Sequence, residues 1–185
     1  MEVMPFAGKT EIVTIGFKPG EMLLESIQAA IQSQGISNGA VVSGIGTLKT
    51  CRMHYITHTG FPPSDQIFFL EKPLELLSIS GLIADGEPHL HIVVSCGEDE
   101  VYGGHLHEGS EVLYLAEIAI LVFNQHKMVR QPDPERRIKL LRQKLPYRRS
   151  CRSKSDCNST ALIKSLDNSV EKYNLQDDRS GISQT

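Results

Sequence analysis

The sequence predicts an α+β fold: a single domain with a mostly antiparallel sheet. Apolar alternation, which is typical of half-buried strands, recurs in run after run between residues 11 and 123. Helical spacing of apolar residues occurs in only one stretch of that range. The later strands are joined by short turns, which favours antiparallel pairing over the crossovers of a parallel sheet. With 185 residues and 40% hydrophobic residues, the chain can bury one sizeable core and still have residues outside it.

The elements follow one another in a readable order. A strand over 11–18 ends at Pro19-Gly20, and a helix over 21–34 places Leu23, Leu24 and Ile27 on one face before Gly35 stops it. Further strands are predicted over 39–43, 48–57, 66–70, 75–83 and 88–94, and a long apolar run covers 112–123. The glycines of Ser43-Gly44-Ile45-Gly46 predict a tight strand-to-strand turn, because they supply backbone freedom.

A second helix is predicted after the last strand. Asp133 can cap its first turn, Pro134 suits the first helical position, and an apolar stripe follows before Pro146 ends it. We therefore predict a C-terminal helix over 133–145. Beyond Tyr147 the composition is polar and aperiodic, so we expect residues 147–185 to form a largely disordered tail.

Charge and composition exclude several classes of protein. The formal net charge of −3 argues against a protein body that coats nucleic acid. The charge is uneven, however, because the basic run Arg136–Lys154 holds nine Lys or Arg and no acidic residue. No run approaches the roughly 18 apolar residues of a membrane span, and the N-terminus carries no secretory signal pattern. The four cysteines lack a paired spacing, which indicates reduced thiols. We expect a cytoplasmic protein, with the nucleus as the alternative, and no membrane partner.

Four histidines lie within the nineteen residues from His89 to His107. Strand alternation puts His89 and His91 on one face, with Cα atoms about 6.5–7 Å apart. If the following turn is centred on Glu98, His91 lies opposite His105 and His89 opposite His107. Directly opposed side chains are about 5 Å apart, close enough to share one metal ion.

Three imidazoles leave a coordination position open on a metal, and Zn²⁺ suits such ligands best, although Ni²⁺, Cu²⁺ and Fe²⁺ share the preference. The alternative is a polar sheet face whose histidines bond only to water and to their neighbours. His54 and His58 share a face of another strand and are predicted to point to solvent. For proton transfer the candidate residues are Glu108 and Glu117, each of which is otherwise a solvated carboxylate.

Several motifs, taken in order, resemble the plant-and-prokaryote-conserved (PPC) domain over residues 6–130. They are Val42-Ser43-Gly44-Ile45-Gly46-Thr47-Leu48, Leu76-Leu77-Ser78-Ile79-Ser80-Gly81, Pro88-His89-Leu90-His91-Ile92-Val93-Val94-Ser95, Gly103-Gly104-His105-Leu106 and Ala116-Glu117-Ile118. The resemblance implies a strongly bent sheet with a packed helix, assembled as a homotrimer.

For stand-alone members of this family the resemblance implies zinc bound by His89, His91 and His105. His107 departs from the pattern, since the family commonly has an apolar residue there. The fold is also similar to that of acetolactate decarboxylase, a zinc lyase with a comparable histidine arrangement. Only the histidine pattern transfers from that enzyme.

Two functional hypotheses follow. The first is a trimeric metalloprotein that acts on, or senses, a small carbonyl or carboxylate compound, with a zinc-dependent lyase or hydrolase as its enzymatic form. The second is a PPC assembly module associated with DNA or chromatin proteins. The basic run Arg136–Lys154 motivates it, although that run lacks the Gly-Arg-Pro core of an AT-hook.

Overall fold

A computed structural model of the chain describes residues 1–144. Its elements in chain order are β1 (Thr10–Phe17), α1 (Leu23–Ser33), β2 (Asn38–Ile56), β3 (Asp65–Ala84), β4 (Glu87–Cys96), β5 (Glu100–Leu106), β6 (Val112–Phe123), β7 (Met128–Asp133) and β8 (Ile138–Gln143). This arrangement confirms the predicted α+β class. No helix within residues 1–144 is long and apolar enough to cross a membrane.

Six strands form one antiparallel sheet in the order β1-β6-β2-β3-β4-β5. The last strand in this order also pairs with β2, since Leu106 lies opposite Met53 and His105 lies opposite His54. Strands β2 to β5 therefore close into a ring, and we call the contact between β5 and β2 the seam. This closure places residues that are far apart in sequence beside the histidine strand.

Strands β2 and β3 are 19 and 20 residues long, and each joins two runs that the sequence predicts as separate strands. The predicted turn at Ser43-Gly44-Ile45-Gly46 is therefore wrong, because these residues lie inside β2. Gly46 is needed where β2 passes β6: a Cβ there would be 2.5 Å from the carbonyl oxygen of Leu115. The register between β2 and β6 shifts on both sides of this point, which bends the strand.

Helix α1 packs an apolar stripe onto the inner face of the sheet. The stripe consists of Leu23, Leu24, Ile27 and Ile31, all of them buried. Ile79, Ile92 and Ile120 belong to the same core from the sheet side. The helix ends before Gly35, whose φ of 63° lies in the left-handed region, as the sequence predicts. Alternate residues of the strands therefore face the core, and the others face outward.

The predicted C-terminal helix over 133–145 is wrong for its described part. Strands β7 and β8 pair as an antiparallel hairpin instead. The Asp133 carboxylate accepts the N–H groups of Glu135 and Arg136, as a helix cap would. The chain then turns back, because Arg137 adopts a φ of 56° and donates its N–H to the Asp133 carbonyl. Caps and turns use the same Asp side chain, which explains the error. The predicted disordered tail, 147–185, lies outside the described residues.

Candidate metal centre

Three histidines from one hairpin converge on the outward face of the sheet. His89 and His91 lie on β4, and His105 lies directly opposite His91 on β5, as the turn centred on Glu98 predicts. The rings of His89 and His91 stack with their centroids 5.4 Å apart, and the ring of His105 stands nearly perpendicular to both. We call His89, His91 and His105 the triad.

Strand alternation explains why the triad faces outward. Leu90, Ile92 and Leu106, the chain neighbours of the three histidines, are each at most 2% exposed and point into the core. Successive side chains of a strand point to opposite faces, so burying these apolar residues turns the imidazoles the other way. The hydrophobic core therefore fixes the direction of the triad.

The nitrogen positions of the triad fit a metal ion. One ring nitrogen of each histidine lies within 4.8 Å of the other two. Nε2 of His89 is 3.3 Å from Nε2 of His91. Two imidazole ligands of a tetrahedral zinc ion, at 2.0–2.1 Å from the metal, are about 3.3–3.4 Å apart. The His89–His91 pair therefore already has the spacing of two zinc ligands, and the nitrogen of His105 lies within reach of the same ion.

The surroundings of His89 and His105 favour the neutral imidazole, the form that binds metals. Burial, followed by the charge of neighbouring histidines, lowers the pKa of His105 to about 4. Burial, followed by the charge of Arg130, also lowers the pKa of His89. His105 therefore remains unprotonated in mildly acidic solution.

A second histidine pair lies beside the triad at the seam. Nδ1 of His54 is 2.6 Å from Nε2 of His107. This distance is too short for two ligands of one tetrahedral ion, but it fits a hydrogen bond in which one ring donates and the other accepts. His107 is thus engaged with His54, and the described β4–β5 register does not place it opposite His89.

His54 was predicted to point to solvent, but the structure places it in this cluster. Its ring stacks on that of His105 with centroids 4.6 Å apart, and its Nε2 is 3.8 Å from a carboxylate oxygen of Asp65. His58, by contrast, is exposed. The face shared by His54 and His58 was visible in the sequence, but the closure that brings β2 to β5 was not.

The two candidate carboxylates have different positions. Glu108 is exposed and follows His107 in the chain. Burial lowers the pKa of His107, and the negative charge of Glu108 opposes this shift. Glu117 lies on β6 opposite Ile45 of β2, nine residues from His54 on the same strand. At the rise of a strand, nine residues correspond to about 30 Å of chain. Glu117 is not part of the described group of metal-binding side chains, and Glu108 is the nearer of the two along the chain.

The lowered pKa of His105 predicts how the metal-free protein responds to acid. The ordinary value is 6.5, and burial lowers it to about 4. Between these two pH values the unfolded chain binds a proton on this residue and the folded chain does not, so stability should fall as the pH drops from 6.5 towards 4. Urea unfolding at pH 7, 6 and 5 measures this slope. His105→Asn should show a shallower slope, and equal slopes would contradict the assignment.

Comparison with curated proteins gives a match to part of a longer relative. The bifunctional protein GlmU of a Synechococcus strain is 29% identical over 127 residues, which are 69% of this chain. The chain spans about a fifth of that relative's length, since the match covers 19% of it.

Solved structures share the fold over most of the chain. A plant- and prokaryote-conserved (PPC) protein from Pyrococcus horikoshii is 31% identical, with a TM-score of 0.62, and covers 78% of this chain and 100% of its own. A metal-containing protein from Archaeoglobus fulgidus is 27% identical, with a TM-score of 0.63, and covers 77% and 100%. A structure from Bacteroides thetaiotaomicron is 18% identical, with a TM-score of 0.62, covers 76% and 96%, and shows the fold alone.

The model of one protein family matches residues 4–124, which include β1 to β6 and all three triad histidines. The ordered motifs, the antiparallel sheet with its single packed helix and this match agree with one another. The chain belongs to the Plants and Prokaryotes Conserved (PCC) domain family, the family called PPC above.

Proposed function

We propose that the protein is an intracellular metalloprotein that holds zinc on His89, His91 and His105 and acts on, or senses, a small carbonyl or carboxylate compound. The observation that carries this proposal is the convergence of three imidazole nitrogens within 4.8 Å on an outward face. The relative from Archaeoglobus fulgidus, which is described as metal-containing, supports it at 27% identity. We favour zinc because it binds imidazole nitrogens well and needs no redox partner.

The proposed site has room for chemistry at one further position. A zinc ion with three protein ligands supplies Lewis acidity at its open position and polarises a carbonyl or carboxylate oxygen there. Zinc-dependent lyase or hydrolase activity is the enzymatic form of the proposal, and ligand sensing is the other. In the described residues, Nδ1 of His54 and Nε2 of His107 lie 2.6 Å apart beside the triad, the distance of a hydrogen bond. Glu108 remains a candidate for proton transfer, and no observation supports Glu117.

Metal analysis of the purified full-length chain tests the proposal. Elemental mass spectrometry should find about one zinc ion per chain, and His91→Ala should lose it, because two imidazoles bind zinc far more weakly than three. His58→Ala is the matched control, since this histidine is exposed and lies outside the triad. Wild-type protein that takes up no divalent metal, or a His91→Ala variant that keeps the full amount, would rule the site out.

A homotrimer is the assembly that we propose. Exposed apolar residues lie on neighbouring strands of the outward sheet face: Val42, Ile45, Leu77, Val93 and Leu115. A cluster of exposed apolar side chains is a typical feature of an interaction site, and this supports the proposal. Light scattering should report three times the chain mass of 20.5 kDa, and a monomeric mass would contradict this part of the proposal.

Association with DNA or chromatin proteins is the second candidate, and it rests on the basic run Arg136–Lys154. The structure from Bacteroides thetaiotaomicron is named for a suspected DNA-binding role, but it shows the fold alone. In the described half of the run, four of the basic side chains form ion pairs with carboxylates: Arg136 with Asp133, Lys139 with Glu87, Arg142 with Glu2 and Lys144 with Asp85.

Four further basic residues of the run, Arg148, Arg149, Arg152 and Lys154, lie outside the described part and are the ones to test for DNA affinity. Replacement of Arg148, Arg149, Arg152 and Lys154 by Gln should therefore abolish salt-dependent binding of duplex DNA. Absence of binding by the wild type at low salt would remove this candidate.

A further inference from the structure

A cavity of about 390 Å³ lies beside the triad, between the sheet and the β7–β8 hairpin. His89 and His91 line it from the sheet, and Arg130 and Lys139 line it from the hairpin. Ser80, which lies opposite His91 on β3, adds a hydroxyl group to the same cavity. No carboxylate is among the described residues that line this cavity. Its polar groups are therefore two imidazoles, a hydroxyl and two cationic side chains.

Arg130 is anchored by the end of the hairpin formed by β3 and β4. Its Nη1 donates to the carbonyl oxygen of Glu87 and its Nη2 to that of Leu82, both at 2.7 Å. Leu82 lies directly opposite His89, so these bonds anchor the guanidinium next to the triad. A guanidinium has five N–H donors, and three remain beyond these two bonds. The Arg130 side chain is partly buried, and this burial lowers its pKa.

Lys139 provides a second, more adaptable cation. Its Nζ is 3.2 Å from a carboxylate oxygen of Glu87, and both side chains are more than half exposed. Ion pairs between exposed side chains contribute little stability, so the ammonium can turn from Glu87 towards a bound anion. Arg130 and Lys139 are diagonal neighbours on one face of the hairpin, since Lys139 pairs with Pro132, two residues beyond Arg130.

We propose that this cavity selects a small oxyanion, a carboxylate or a phosphate, whose negative charge is bound by Arg130 and Lys139 beside the metal centre. The proposal rests on the proposed function, and it favours the carboxylate over the neutral carbonyl compound left open there. Guanidinium and ammonium groups bind carboxylates and phosphates through charge-assisted hydrogen bonds. A neutral carbonyl compound offers neither cation a negative charge to pair with. We call Arg130 and Lys139 the cationic wall. Both residues lie outside residues 4–124, the part of the chain that the family model matches.

Calorimetric titration of the zinc-loaded, full-length protein tests the proposal. The probes are malonate, inorganic phosphate and the neutral malonamide, each at low ionic strength. We expect malonate or phosphate to bind and malonamide to bind at least tenfold more weakly, and the tighter of the two anions identifies the oxyanion class. Arg130→Gln should weaken anion binding about tenfold or more, because it removes charge-assisted hydrogen bonds.

Three further variants distinguish an effect on anion binding from an effect on folding. Arg130→Lys keeps the charge but changes the donor geometry, and Lys139→Gln removes one exposed charge. Both variants should therefore fold, and both should bind anions several-fold more weakly than the wild type. Arg142→Gln is the matched control: it lies on the same hairpin and pairs with Glu2, away from the cavity. Its anion affinity should equal that of the wild type.

Failure of the anion-binding proposal can be told apart from failure of the metal proposal. Equal affinity for malonate and malonamide, or unchanged anion affinity in both Arg130→Lys and Lys139→Gln, would overturn the cationic wall. Repeating the titrations on metal-free protein should give weaker binding that still depends on Arg130 and Lys139. If the protein takes up no zinc, the proposed function fails, and the metal-free titrations still decide whether the wall selects anions.

Discussion

Zinc added to the metal-free protein should raise its Tm by roughly 5–10 °C. A ligand that binds only the folded state stabilises it by about 2.7 kcal/mol when its free concentration is 100 times Kd. For a chain of this size, each kcal/mol shifts Tm by about 2–4 °C. The triad nitrogens come within 4.8 Å of one another only in the folded hairpin, so the unfolded chain offers no comparable site. Differential scanning calorimetry over a zinc titration measures the rise.

A matched pair of variants shows where the zinc acts. His91→Ala should abolish the rise in Tm, because His91 lies between the other two ligands as the strand neighbour of His89 and the cross-strand partner of His105. His58→Ala should keep the full rise, since it removes an exposed histidine outside the triad. A rise of the same size in His91→Ala would mean that zinc stabilises the protein from another site.

Gly104→Ala should destabilise the protein by about 1–3 kcal/mol, the usual effect of forcing an extra carbon into a packed position. A Cβ at Gly104 would be 2.5 Å from the carbonyl oxygen of His54, far closer than carbon and oxygen atoms tolerate. The backbone of β5 must then move away from β2, which opens the seam next to His105. Urea unfolding measures the loss of stability, and zinc titration of the variant measures the effect on the triad.

Gly103→Ala is the control on the adjacent residue. There the nearest atom to a new Cβ is the carbonyl oxygen of Ile92 at 3.5 Å, an ordinary contact. Its effect on the free energy of unfolding should stay within about 0.5 kcal/mol. Equal losses in the two variants would show that the glycine pair matters for chain flexibility, and that close approach of β5 to β2 is not the cause.

The local parts of the fold could be predicted from the sequence. Helix α1 follows from the spacing of its apolar residues and from the left-handed Gly35 that ends it. The pairing of His91 with His105 follows from the position of one turn, because a tight hairpin sets the register of both its strands. The three histidines that the structure brings together are those expected from alternation and from the family resemblance.

The non-local parts could not be predicted. The pairing of His54 with His105 joins residues 51 positions apart, and no local pattern specifies it. Without that seam, His54 looks like a solvent-facing residue and the His54–His107 pair is invisible. Arg130 enters the site for the same reason: its two bonds reach residues more than 40 positions earlier in the chain.

The prediction of a C-terminal helix was wrong because the residues of this segment suit two different structures. Ile138, Leu140 and Leu141 suit a helical stripe as well as a short paired strand, and Asp133 suits a helix cap as well as a turn. Pairing with β7 decides in favour of the strand. The error matters because the hairpin, which a helix would have replaced, carries Arg130 and Lys139.

The origin of the triad within a single hairpin has a consequence for the order of folding. Its three ligands come from residues 89–105, a short loop to close, whereas the seam must bring together His54 and His105. Short loops close sooner and with a smaller entropy loss than long ones, so local contacts form early in folding. We expect the β4–β5 hairpin to capture zinc before the ring closes, so that the ion acts as a template on which β2 later docks.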